Sequence, residues 1–371
     1  FQTQAVADGE MDAWFVLGDV KWAAGQSIDA EQAYQQAKRI LHERLLATQP
    51  DSPRWLRDLA IAHSKLGDVR MAQGQLDAAA QAFSEDLVIS TRLVALDPAN
   101  TGWLRDLAAA HSRLGDVRMK QGQLDAAAQI FSEGLAICTR LVALDPANTN
   151  WLRDLAVAHG WLGDVRMEQG QLDAAAQAFT KYHAILARLA ALDPANTGWL
   201  RDLAVAHSRL GDVRMAQGQL DAAAQAFSEY HAIFSQLVAL DPVNTSWLRE
   251  LAVAHSKLGD VRMVQGQLDA AAQAFSEGMG IRTRLVALDP TNSSWQYDLA
   301  ITLFKLGQCY FYTGKPKAGV LLLRKAESQL SQLVQQSPDH AEWRASLQSV
   351  RQALRQLSPS PGKPTHKPKR R

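Results

Sequence analysis

Cysteine is nearly absent from this chain: 371 residues hold two, Cys138 and Cys309. In an elongated array they lie well beyond the roughly 7 Å Cα separation that a disulfide tolerates. A reducing, cytoplasmic setting is the expectation. No apolar run reaches the roughly 18 residues that cross a bilayer, and the N-terminus lacks the basic-then-apolar pattern of a secretory signal. An excess of one charge is also missing, with 39 Lys and Arg against 38 Asp and Glu, which excludes a uniformly basic nucleic-acid-binding chain. Neither a glycine-rich phosphate loop nor G-x-S-x-G nor H-E-x-x-H occurs, so neither catalysis nor a cofactor is expected. No segment alternates convincingly as a strand.

The charge is unevenly placed. Residues 358–371 carry five basic residues (Lys363, Lys367, Lys369, Arg370, Arg371) and no acid, leaving 34 basic against 38 acidic residues before them. Pro359, Pro361, Pro364 and Pro368 prevent helix there and nothing apolar is available to bury, which predicts a disordered tail. Two roles are open to it: solubilising, or contact with nucleic acid or another anionic surface. The chain opens at Phe1 rather than Met, pointing to a processed product or a fragment of something longer.

Repetition dominates what is present. Trp55, Trp103, Trp151, Trp199, Trp247, Trp295 and Trp343 recur every 48 residues, and LGDVRM and GQLDAAAQ each occur five times. Each unit reads as two helices. Ser52-Pro53 and the later Asn100, Asn148, Asn196, Asn244 and Asn292 are N-cap signals. A first helix runs from about Trp55 to Gln73 with apolar residues at 3–4 spacing, and Gly74 closes it. A second begins near Asp77 and stops before Asp97-Pro98. The expectation is an all-α chain: an N-terminal segment 1–10, seven antiparallel hairpins and a polar capping helix at about 340–357 making an array over 11–357, then the tail.

Trp14-x2-Leu17-Gly18, Leu66-Gly67 with Gly74, Ala79-x3-Phe83 and Pro98, and Leu306-Gly307-x2-Tyr310 with Gly314 resemble the tetratricopeptide repeat consensus. The resemblance covers nearly all of 11–357 and implies a right-handed α-solenoid that binds partner proteins or peptides in a concave groove. An alternative is a sensor or oligomerisation array of a larger signalling protein, with an enzymatic domain upstream of residue 1. Two features depart from the family. The period is 48 rather than about 34, and Arg70, Arg118, Arg166, Arg214 and Arg262 replace the consensus tyrosine. Either the first helix is rotated, or the arginine stems pack and the guanidinium groups reach solvent.

The column His63, His111, His159, His207 and His255 reads as packing rather than metal binding, because Trp14 and Leu303 hold the same position and no ligand set accompanies it. His183 and His231 read as surface residues. Asp68, Asp116, Asp164, Asp212 and Asp260 read mostly as partners of Lys or Arg three residues earlier. The resemblance places the groove at Ser64, Lys65, Asp68, Met71, Ala72 and their copies. Asp68 and Ile61 stand where the family's carboxylate clamp needs asparagine and lysine, so that clamp is not expected.

Near-identical copies cannot discriminate along a ligand, so specificity is expected where the units differ. Gly160-Trp161 replaces Ser-Arg or Ser-Lys, and Glu168 follows. With Arg113 and Arg209 paired to Asp116 and Asp212, Trp161 leaves Asp164 without its basic partner, which makes an aromatic and acidic patch suited to a basic or aromatic side chain. The other reading is that Trp161 fills the groove by lying across the stems of Arg113 or Arg209. Phe304, Phe311 and Tyr312 make the seventh unit aromatic, either for a partner or for packing against the cap.

Overall fold

The computed structural model describes residues 2–357, all-α among those residues, with no strand. The expected tail lies outside them. The helices are α1 (Gln2–Ala23), α2 (Ser27–Ile40), α3 (Pro53–Ala72), α4 (Leu76–Leu96), α5 (Thr101–Lys120), α6 (Leu124–Leu144), α7 (Thr149–Glu168), α8 (Leu172–Leu192), α9 (Thr197–Ala216), α10 (Leu220–Leu240), α11 (Thr245–Val264), α12 (Leu268–Leu288), α13 (Ser293–Tyr312), α14 (Pro316–Gln336) and α15 (Ala341–Leu357). They form seven consecutive hairpins, with α15 packed on α14 and α13. The first hairpin reaches back to Gln2 rather than starting near residue 11. The described residues fall into two compact units, divided between Asp193 and Pro194. Within each, the second helix of one hairpin packs on the first helix of the next.

Local chemistry sets each boundary. Asn100 Oδ1 accepts from the Trp103 N–H at 3.1 Å, and Asn148, Asn196, Asn244 and Asn292 repeat that bond. Ser52 makes no such side-chain bond. Asn148→Ala is therefore expected to cost about 1 kcal/mol, and Ser52→Ala close to nothing. Urea unfolding of both variants checks this, and equal losses would refute it. At the far end Gly74 takes a φ of 75°, which lets the Gln75 N–H bond the Arg70 carbonyl at 2.8 Å and end the helix.

Each hairpin closes on a glycine. A Cβ built on Gly67 would stand 2.3 Å from the Phe83 ring, and Gly115, Gly163, Gly211 and Gly259 repeat the contact with Phe131, Phe179, Phe227 and Phe275. In the first hairpin Gly18 meets Tyr34, one residue out of the 48-residue register. A π-turn at Leu41–Leu45 takes up a residue there, and Pro50 is back in register with Pro98.

The arginines at the consensus tyrosine position tie down the hairpin turns instead of reaching free solvent. Arg70 Nε donates to Glu31 at 2.9 Å and its Nη1 to the Ala78 carbonyl at 3.3 Å. Arg118 Nη1 donates to Gln121 and Gln123, and Arg166 repeats the pattern. By length and composition α6 is apolar enough to cross a membrane, which the sequence reading did not expect. Its Phe131, Cys138 and Leu141 are buried in the unit, and Asp125, Glu133 and Arg140 interrupt the run.

Candidate functional site

Two cavities in the first unit open between consecutive first helices, and they are the same site one repeat apart. The first, about 250 Å³, has walls from α3 (Arg57, Ile61, Ser64, Lys65, Asp68) and α5 (Asp106, Ala109, Arg113), over a floor of Asp86, Ser90 and Leu93 from α4. The second, about 490 Å³, lies between α5 and α7 over Cys138 and Leu141 of α6. Ion pairs brace the walls across hairpins: Arg57 to Asp106 at 2.7 Å and Arg105 to Asp154 at 2.6 Å. The floors differ in chemistry. Asp86 accepts from Ser90 Oγ at 3.0 Å, and burial pushes its carboxyl up to about 6. Burial likewise pushes the Cys138 thiol up to about 11, so it stays protonated and unreactive. Both cysteines are unpaired and buried.

Residues 64–148 match the tetratricopeptide repeat family. No curated protein sequence matches the chain. Among solved structures, BtubC (BKLC) from P. vanneervenii is similar at 18% identity, over 78% of this chain and 96% of that one, with a TM-score of 0.54. The apo form of RapI is similar at 14% identity over 87% and 99%, with a TM-score of 0.53. At such identities the likeness speaks for the fold, and the repeating hairpins agree with it. The fold is tetratricopeptide-like, a succession of helical hairpins.

Of the groove positions expected in the second hairpin, Ser64, Lys65 and Asp68 line the first cavity. Met71 packs into the cluster around Phe83 instead, and Ala72 is exposed at the helix end. The charge ladder differs from the expected i,i+3 pairing. Lys65 reaches Asp19 at 2.8 Å, Arg113 reaches Asp68 at 3.8 Å, Lys257 reaches Asp212 at 2.5 Å and Lys305 reaches Asp260 at 2.7 Å. Each base therefore bonds the aspartate of the preceding hairpin, because stacking brings neighbouring first helices within reach of a long side chain.

That register moves the consequence of Trp161 from Asp164 to Asp116. Asp116 is the acid that a base at position 161 would meet, and Lys120 of its own helix binds it instead at 2.7 Å. The half-buried Trp161 ring stacks on Phe131, with centroids 5.7 Å apart and planes 6° from parallel. A Cβ on Gly160 would stand 3.7 Å from the Tyr182 ring, so the glycine leaves an ordinary contact rather than a hole. Asp164 is half-buried and Glu168 exposed on α7, whereas Arg209 is exposed on α9 in the second unit. In that unit Phe304 packs on the cluster around Trp343, Leu347 and Val350 of the cap. Phe311 meets Tyr312 edge-on at 5.6 Å, and Tyr312 is exposed.

The cavity floors escaped the sequence reading. Positions 86 and 90 are Asp and Ser in one hairpin, then Gly134 and Cys138, Tyr182 and Leu186, Tyr230 and Phe234, Gly278 and Arg282. Comparing copies column by column on the second helix exposes this variation, and only geometry shows where those columns point. In the second unit the chain uses two of these positions itself. Tyr230 donates to Glu250 at 2.5 Å, and Arg282, buried, donates to Ser256 at 2.8 Å and Thr302 at 2.7 Å.

The histidines divide by environment. Burial holds His63, His159 and His255 down to about 4, so they are neutral at pH 7. His231 is no surface residue: its Nε2 lies 3.3 Å from His255 Nε2, with Glu277 3.3 Å from His255 Nδ1. Among the described residues no three His, Cys, Asp or Glu side chains converge on one metal position.

Proposed function

We propose that this array is a protein-interaction scaffold in which a partner polypeptide lies across the first helices and lodges side chains in the cavities between them. One observation carries the reading: the framework repeats almost unchanged while the floors of those cavities change character from hairpin to hairpin. A rigid frame with interchangeable floors reads different side chains at fixed spacing. Trp161, with Gly160, Asp164 and Glu168 on α7, is a second proposed contact, as are Arg113, Arg209 and the aromatic Phe304, Phe311 and Tyr312.

The test starts from a partner captured with the intact array and identified by mass spectrometry. Ala109 lines both cavities, and Ala109→Arg is expected to weaken that partner's binding at least about tenfold, since loss of one anchored side chain costs about 1–2 kcal/mol. Val88, exposed on α4 and outside both cavities, supplies the control: Val88→Arg should leave binding unchanged. Trp161→Arg restores the base found in neighbouring hairpins and is expected to weaken binding while changing stability by less than about 1 kcal/mol. Equal binding by the wild type and Ala109→Arg would refute the cavity reading.

A further inference from the structure

A carboxylate at the first cavity's floor is not required by the fold. Its 48-residue equivalents are Gly134, Tyr182, Tyr230, Gly278 and Ala326, so small and aromatic residues alike satisfy the packing there. Asp86 is only 4% exposed, and its one hydrogen bond comes from a neutral hydroxyl, Ser90. Burying a carboxylate without a cation is costly. The bases nearest to it are engaged elsewhere: Arg57 by Asp106, Lys65 by Asp19 and Arg113 by Asp68. Arg113 in the cavity wall is the one base whose charge reaches Asp86, and among the described residues no base hydrogen-bonds the carboxylate.

Four repeats later the chain shows what such a space admits. Arg282 occupies the position equivalent to Ser90, 192 residues on, and sends its guanidinium between α11 and α13 with 7% exposure. Nη1 donates to Ser256, the equivalent of Ser64 in the first cavity wall, and to Thr302. Burial lowers the pKa of the Arg282 guanidinium, and Asp298, the equivalent of Asp106, is the charge that opposes this most. Gly278 stands at the Asp86 position, and a Cβ built on it would lie 3.4 Å from Arg282 Nη1. Repeat symmetry thus sets Asp86 directly beside the place where a guanidinium fits, in a hairpin that has Ser90 rather than arginine at that position.

We propose that the cavity over Asp86 is a pocket for an arginine side chain of the partner polypeptide, its guanidinium pairing with the Asp86 carboxylate and donating to Ser64. The inference rests on the scaffold reading above and names the chemistry of one of its subsites. A planar fork of donors suits a carboxylate and a hydroxyl that flank the same space, as Arg282 does between two hydroxyls. The neighbouring cavity has charged walls but an uncharged floor of Cys138 and Leu141, and its floor should take an apolar or neutral side chain.

The test uses the full chain and N-acetyl-arginine amide, with binding read by saturation-transfer NMR and dissociation constants from titration. N-acetyl-citrulline amide, which has the shape without the charge, should bind at least tenfold more weakly, and N-acetyl-lysine amide should fall between them. Asp86→Gly, which installs the residue of the next hairpin, is expected to lose at least tenfold in arginine affinity. Ser90→Arg places an internal guanidinium where Arg282 has one and should exclude the probe while the chain remains folded by circular dichroism. Equal arginine and citrulline binding, undiminished binding by Asp86→Gly or Ser90→Arg, or no binding by the wild type at millimolar probe each overturns the proposal. Because the probe assay needs no partner, a negative result there beside loss of partner binding in Ala109→Arg removes the arginine pocket and leaves the scaffold standing.

Discussion

Phe131→Ala is expected to destabilise the first unit by about 3–5 kcal/mol. The ring is 2% exposed and belongs to the cluster with Ala127, Ala128 and Val165. It lies so close to α5 that a Cβ on Gly115 would be 2.4 Å away, and its other face carries the Trp161 indole. Truncation therefore opens a cavity between α5 and α6 and leaves Trp161 of α7 without its stacking surface, so two hairpins lose contact at once. Gly115→Ala attacks the same contact from the opposite side. Overpacking there costs about 1–3 kcal/mol, partly offset by the roughly 1 kcal/mol gain in helix propensity. Urea unfolding followed by tryptophan fluorescence and circular dichroism compares the two variants. A loss below 1 kcal/mol for Phe131→Ala would show that the hairpins are not held by this contact.

Asp86→Asn is expected to stabilise the first unit at neutral pH, by an amount that disappears in acid. Burial lifts the folded carboxyl to about 6, whereas its ordinary value is 3.8. Above pH 6 the folded chain holds a buried charge that the unfolded chain carries freely in water, so the penalty is present in full. As pH falls from 6 toward 3.8 the folded state takes up the proton first and the penalty shrinks, and below 3.8 both states are neutral. The variant should exceed the wild type by about 2–3 kcal/mol at pH 7 and match it near pH 4. Denaturation at pH 7, 5 and 4 measures the gap, and a gap independent of pH would rule out burial of charge as its origin.

Much of the architecture was legible because near-identical repeats state their own boundaries. The Asn caps, the closing Gly74 and the Asp97-Pro98 stop all fall within two residues of the helix ends found. What was illegible depends on neighbours remote in sequence. Lys65 and Asp68 look like partners when three residues separate them, yet Lys65 bonds Asp19 and Asp68 receives Arg113. Only the packing distance between hairpins decides that choice. Trp161 stood out as an oddity in one column, but the sequence could not reveal that Phe131 of the preceding hairpin lies beneath it. The π-turn at Leu41–Leu45 left a trace as the one-residue offset of Leu17-Gly18 from the later Leu-Gly pairs. The floor residues were visible as variation, without any indication that they line a cavity.

The two cavities share a partition. Asp106, Ala109 and Arg113 of α5 line both, whereas Asp86 and Ser90 serve only the first and Cys138 and Leu141 only the second. A substitution in the partition edits two neighbouring readings at once, and one at a floor edits a single reading. When such an array grows by duplication of whole hairpins, floors are the positions at which one letter can be rewritten without smudging the next. The sequence bears the mark of that constraint: Asp58, Asp106, Asp154 and Asp202 keep one residue in the partitions, with Glu250 keeping the charge, while the floor column runs through Asp86, Gly134, Tyr182, Tyr230 and Gly278.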